Sequence, residues 1–210
     1  MKRLFYVLPV AVLLMACGEG SSDDLALTED STVEDLNNAV ASFADGGAYD
    51  ADTYFEGLVA EVVKVDVKFK EVEALDEIDG SEEEINAVLD DAISSIEEGR
   101  KALDNYTDKP WPKRAEFHDL TLEWFAVVES LVNDYLYDLA GPMSRADETW
   151  TQEEIDFYTE YSEAYKAYYE IDNKWVDFQY EYAAANNIKL SDEAIDEEAM
   201  IEEELSHMEE

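Results

Sequence analysis

The sequence predicts an all-α fold, an antiparallel up-down bundle of four long helices. A short helix precedes them and an acidic helical segment follows. Three observations predict it. Apolar residues recur at steps of three and four through the long segments, the spacing of one helix face. Pro9, Pro110, Pro112 and Pro142 lie outside the long periodic segments of the mature chain, away from helix interiors that proline would break. Glycine turns, Asp45-Gly46-Gly47 and Asp79-Gly80, separate helix-period segments rather than alternating strands.

Residues 1–16 read as a signal peptide. Lys2 and Arg3 precede a thirteen-residue apolar run, Leu4 to Ala16, whereas a spanning helix needs about 20 residues. Leu14-Met15-Ala16-Cys17 then has the form of a lipobox, in which the cysteine thiol receives diacylglycerol and becomes the new N-terminus. Cys17 is the chain's single cysteine, so no intrachain disulfide supports the fold. Cys17 is the expected site of lipid attachment, because two or more acyl chains anchor stably where one binds only marginally. Residues 17–31 are polar and acidic and read as a tether.

The bundle domain is expected over 32–190. Its first helix, from about Thr32 to Ala44, aligns Val33, Leu36, Val40 and Phe43, with Ser31 and Glu34 as a capping box. A second, from about Asp50 to Asp76, carries a heptad seam from Phe55 to Val72 that Val59, Val63 and Val67 widen. Valine is a mediocre helix former, so packing must hold this segment. The third, Glu82 to about Asn105, starts at the capping box of Ser81 and Glu84 and has Gly99 on its seam. The fourth, from about Arg114, follows the loop Lys109-Pro110-Trp111-Pro112-Lys113 and is expected to stop at Gly141-Pro142. The fifth starts at the capping box of Thr151 and Glu154, runs to about Ala185, is ended by Asn186-Asn187 and is dense in aromatic residues. Residues 191–210 hold ten acids and no lysine or arginine, and Ile195, Ala199 and Leu205 suit a helix.

The net charge is −40; without Lys2 and Arg3 the chain has 12 basic and 54 acidic residues, or −42. Such a field repels nucleic acid and favours cations or a basic protein partner. Catalytic signatures are sparse. A di-iron bundle needs two Glu-x-x-His pairs; Glu204 and His207 make one, and His118 has Ala115 where the second glutamate belongs. Asp50, Asp52 and Glu61 fit positions 1, 3 and 12 of a calcium loop, but Phe55 occupies the glycine position. Asp119 and Glu123 near His118 could support acid–base work, although a histidine on an acidic helix face explains them as well. No nucleophile elbow, P-loop or dinucleotide fingerprint is present. No cofactor and no enzymatic activity are expected.

Two features suit interaction. Trp111, between two prolines, either projects as a recognition group or folds back to cap the bundle. Phe157, Tyr169 and Tyr180 sit off the main seam of the fifth segment and are the interface candidates there.

The lipobox, tether and helical segments together resemble the ErpY-like family of helical bacterial surface lipoproteins. The supporting stretches are the hairpin from Ile85 to Tyr106, the proline-bearing loop before Phe117, and Trp-Val-Asp-Phe-Gln-Tyr-Glu-Tyr-Ala-Ala-Ala-Asn-Asn-Ile from Trp175 to Ile188. The resemblance implies a helical fold, surface exposure and, in pathogens, binding of host proteins; it assigns no binding residue. The expectation is a lipid-anchored outer-membrane lipoprotein with a binding or structural role. A periplasmic ligand-binding or chaperone-like bundle is the alternative, and the leaflet is left open.

Overall fold

The computed structural model describes residues 33–46, 50–77 and 80–190. The residues predicted to form the signal peptide, the tether and the acidic C-terminal segment, Cys17 included, lie outside them. All the regular elements among the described residues are helical. They are α1 (Val33–Ala44), α2 (Ala51–Glu77), α3 (Glu82–Leu103), α4 (Arg114–Leu131), α5 (Tyr137–Met143) and α6 (Gln152–Asn186). Short 3₁₀ turns span Asp104–Tyr106 and Asp147–Thr149, and a π turn, Val132–Leu136, joins α4 to α5.

The long helices run up, down, up, down, with α4, the π turn and α5 forming the third. Lys64 of α2 reaches Glu98 of α3. Arg100 and Asp90 of α3 meet Glu129 of α4 and Tyr137 of α5, in reverse order. Phe117 of α4 lies against Tyr182 of α6, while Tyr135 lies against Phe157. α1 packs on the side of α2. No described helix is long and apolar enough to cross a membrane.

Local chemistry sets the helix ends. Ser81 and Thr151 accept from the amides of Glu84 and Glu154, whose carboxylates bond back to the cap residues. These bonds hold both glutamates below the usual carboxylate range. Asp50 caps α2 by accepting from the Asp52 and Thr53 amides. Asn187, at φ 59°, closes α6 in the left-handed conformation.

One expectation is corrected. Gly141-Pro142 does not stop the third long helix: Pro142 is buried within the last turn of α5. Its missing N–H deprives the carbonyl four residues back, at Asp138, of a partner, and Asp138 is exposed to water. The widened seam of α2 extends to full enclosure. Gly57 through Val63 are buried without interruption, so neighbours surround that part of the helix. α1 presses close at Gly57, where a Cβ would stand 2.5 Å from the Phe43 ring. Gly99 does the same for α3: a Cβ there would stand 2.8 Å from the Phe125 ring.

Candidate functional site

A cluster of buried ionisable groups lies inside the bundle, where α2, α4 and α6 meet. Asp66 of α2 is 2% exposed. It accepts a 2.7 Å hydrogen bond from the Tyr168 hydroxyl of α6 and an ion pair from Lys70 at 3.1 Å. Asp172, one turn further along α6, accepts from the Trp124 indole N–H of α4 at 3.1 Å. Burial pushes the Asp172 carboxyl up to about 6, against the lowering effect of the Trp124 bond. Burial and the Asp66 charge raise the Tyr168 phenol well above its ordinary value. Below this cluster, the Trp175 indole donates to Thr121 at 2.9 Å, and the Thr121 hydroxyl donates to the Phe117 carbonyl. These bonds satisfy buried polar groups, and those joining Tyr168 to Asp66, Trp124 to Asp172 and Trp175 to Thr121 fix the register of α6 against α2 and α4.

Glu61 is a second buried carboxyl, 1% exposed. Neither of its oxygens has a hydrogen-bond partner, and Oε2 lies 3.4 Å from where a Cβ on Gly99 would stand. Burial raises its pKa from 4.5 to about 7, with Lys64 opposing and Glu98 reinforcing the shift. Glu71, also buried, pairs with Lys68 at 2.9 Å. The calcium-loop pattern is thus dispersed: Asp50 caps α2, while Glu61 is sealed in the core.

The opposite end of the core is aromatic. The Tyr54 ring is fully buried, and burial holds its phenol well above the ordinary value. Around it stand Trp111 at 5.2 Å, Tyr106 at 5.3 Å, Tyr182 at 5.9 Å and Phe43 at 6.0 Å. Trp111 is therefore half-buried, folded over the end of the bundle. Its loop is tied down just after Trp111. Asn186 donates to the Pro112 carbonyl, and Lys113 pairs with Glu181 while lying 5.1 Å over the Phe178 ring.

The other sequence candidates disperse along α6. Phe157 is half-buried against Tyr135, with ring centroids 5.6 Å apart. Tyr169 is half-buried, and Tyr180 is 50% exposed. His118 Nδ1 lies 3.1 Å from Asp119, and its Nε2 is buried without a partner. Among the described residues, no three His, Cys, Asp or Glu side chains are grouped to hold a metal ion. A cavity of about 280 Å³ lies between α1, α2 and α3, lined in part by Leu36, Lys64, Lys68 and Glu98.

Sequence reading passed over the internal carboxylates, yet it contained a signal for them. Asp66 stands between Val62, Val63 and Phe69, and Asp172 between Tyr168 and Trp175. An acid whose neighbours three and four residues away are apolar belongs to the inward face.

No protein-family model, no curated protein and no solved structure matches this chain.

Proposed function

We propose that this protein is a lipid-anchored lipoprotein of the outer membrane, without enzymatic activity, whose helical body serves binding or a structural role in the envelope. The observation that carries the reading is the order of segments. A positive start and a thirteen-residue apolar run lead to Leu14-Met15-Ala16-Cys17, and polar residues 18–32 separate that cysteine from α1. Membership of the ErpY-like lipoproteins belongs to the same proposal.

The packing of the ionisable groups agrees with a non-catalytic body. Asp66, Asp172 and Glu61 are each buried, and none of them lines the 280 Å³ cavity. The bonds of Asp66 and Asp172 join helices together, and Glu61 is sealed in the core without one. Charge supports a binding role: among the described residues, at least eight of the twelve lysines and arginines sit in ion pairs with acids. Each pair cancels one acid with one base, and the excess of acids sets the long-range field, which favours a basic protein partner or cations. The rival reading, a periplasmic ligand-binding or chaperone-like bundle, draws on the cavity between α1, α2 and α3. Its volume of about 280 Å³ is at the small end for a ligand pocket.

Mass spectrometry of the protein from its native membrane tests the reading. Diacylglyceryl and N-acyl groups on Cys17 are expected, with Cys17→Ser releasing the chain from the membrane fraction. An unmodified mature N-terminus overturns it. Protease shaving of whole cells then reports the leaflet.

A further inference from the structure

α6 carries a second apolar stripe beside the one that enters the core. Ile155, Tyr158, Tyr165, Tyr169, Val176 and Tyr180 fall within about a quarter of the helix circumference at 3.6 residues per turn. Ser162 and Asn173 fill the two intervening positions. None of the six is buried: Ile155 is 44% exposed, Tyr180 50%, and the rest are half-buried. Ile155 and Tyr180 are the exposed large hydrophobics among the described residues, and they lie at the two ends of this one line. The stripe is about 37 Å long at the rise of an α-helix. It matches the length of another helix, and its spacing of three and four suits helix-on-helix packing.

Charge decides what can lie there. The outer border of the stripe carries exposed Glu163, Glu170, Asp177 and Glu181. Lys166, on the same border, is paired with Glu163 at 2.5 Å. A second copy would bring another strongly anionic body, and residues 191–210 have ten acids and no compensating base. Both would meet a border of net like charge, although Lys166 pairs with Glu163 and Lys113 with Glu181. An amphipathic helix with an apolar face and flanking lysines or arginines meets apolar surface at the centre and opposite charge at the rim.

We propose that this stripe of α6 is the docking surface for a basic amphipathic helix of a protein partner. It gives the binding reading above a location and rests on that reading. The acylation of Cys17 is a separate measurement. An unacylated chain that binds leaves the stripe standing, and an acylated chain that does not bind overturns the stripe alone.

The probe is a dye-labelled Leu/Lys amphipathic helix of about 25 residues, matched to the stripe at 1.5 Å per residue. Its controls are a scrambled peptide of the same composition and a Leu/Glu counterpart. Fluorescence anisotropy with the purified full chain at physiological salt should show the Leu/Lys helix binding about tenfold tighter than the scrambled peptide, with no binding of the Leu/Glu helix. Tyr169→Ser with Tyr180→Ser should abolish that tenfold preference while circular dichroism stays helical. Ile155→Ser, at the far end, should weaken it in the same direction and serves as the second variant if the double variant unfolds. Equal binding of both Leu/Lys peptides would mean that charge alone acts and overturns the proposal. Binding of the Leu/Glu helix, unchanged binding by the variants, or sedimentation showing self-association lost with Tyr169→Ser and Tyr180→Ser would overturn it too.

Discussion

α2 and α6 are the two longest helices, and they cross the same core in opposite directions, yet their chemistry is distributed in opposite ways. α2 is rich in valine and surrounded over its middle, and three of its acids, Glu61, Asp66 and Glu71, are inside. α6 is rich in tyrosine, buries one face and leaves another half open, and keeps most of its acids at the surface. An enclosed helix must satisfy or neutralise every polar group it carries. A helix at the rim is free to use aromatic side chains with an apolar body and a polar tip. The hydroxyls of Tyr168 and Tyr182 reach α2, whereas Tyr180 remains at the surface.

The contrast can be broken most forcefully by truncation. Phe55→Ala on α2 empties a fully buried position and should cost about 3–5 kcal/mol, while Tyr180→Ala on α6 should stay within about 0.5 kcal/mol. Chemical denaturation of both variants checks this, and similar losses at the two sites would erase the distinction.

Proton linkage sharpens it next. The Glu61 carboxyl is raised in the folded protein from 4.5 to about 7. The folded state therefore holds this proton where the unfolded state has released it. The resulting stabilisation is fully present below pH 4.5 and is lost as pH rises through about 7. The shift corresponds to about 3 kcal/mol. Asp172, raised from 3.8 to about 6, acts in the same sense over a lower window. Glu61→Gln should flatten the fall in stability between pH 5 and pH 8. An unchanged pH profile would show that Glu61 is charged in the fold.

Smaller effects follow. Tyr168→Phe removes the hydroxyl that donates to Asp66 and leaves the Lys70 ion pair, at a cost of about 1–3 kcal/mol. Thr151→Ala removes the cap of α6 and should cost about 1 kcal/mol. Thermal melts would rank these two variants, and the reverse ranking would place the stronger constraint on α6 at its end.

The helix class and most helix ends were legible because they rest on local chemistry. Ser81, Thr151 and the Asn186-Asn187 stop act within a turn or two of themselves. Pro142 was misread because a proline's effect depends on whether water reaches the carbonyl it strands, which is a tertiary fact. The full enclosure of α2 was partly visible in Val59, Val63 and Val67, but enclosure depends on α1 reaching Gly57, and periodicity cannot show a neighbour. Among the site candidates, Trp111 had two equally local readings. Its place over Tyr54 follows from the ring's reach to residues more than fifty positions earlier. Phe157, expected off the seam, is half-buried against Tyr135, whose placement depends on the π turn.

One contact has mechanical weight. The Phe43 ring fits where Gly57 has no side chain and stacks on Tyr106 at 4.8 Å, while the Tyr106 hydroxyl and the Asn105 amide hold the Phe43 and Ala44 carbonyls. Tension arriving along the chain from before Val33 must load α1 first, and this latch shares that load between α2 and the end of α3. A tug from the N-terminal side would thus be borne as shear across two helices, so the remainder of the body could keep its shape until the latch slips.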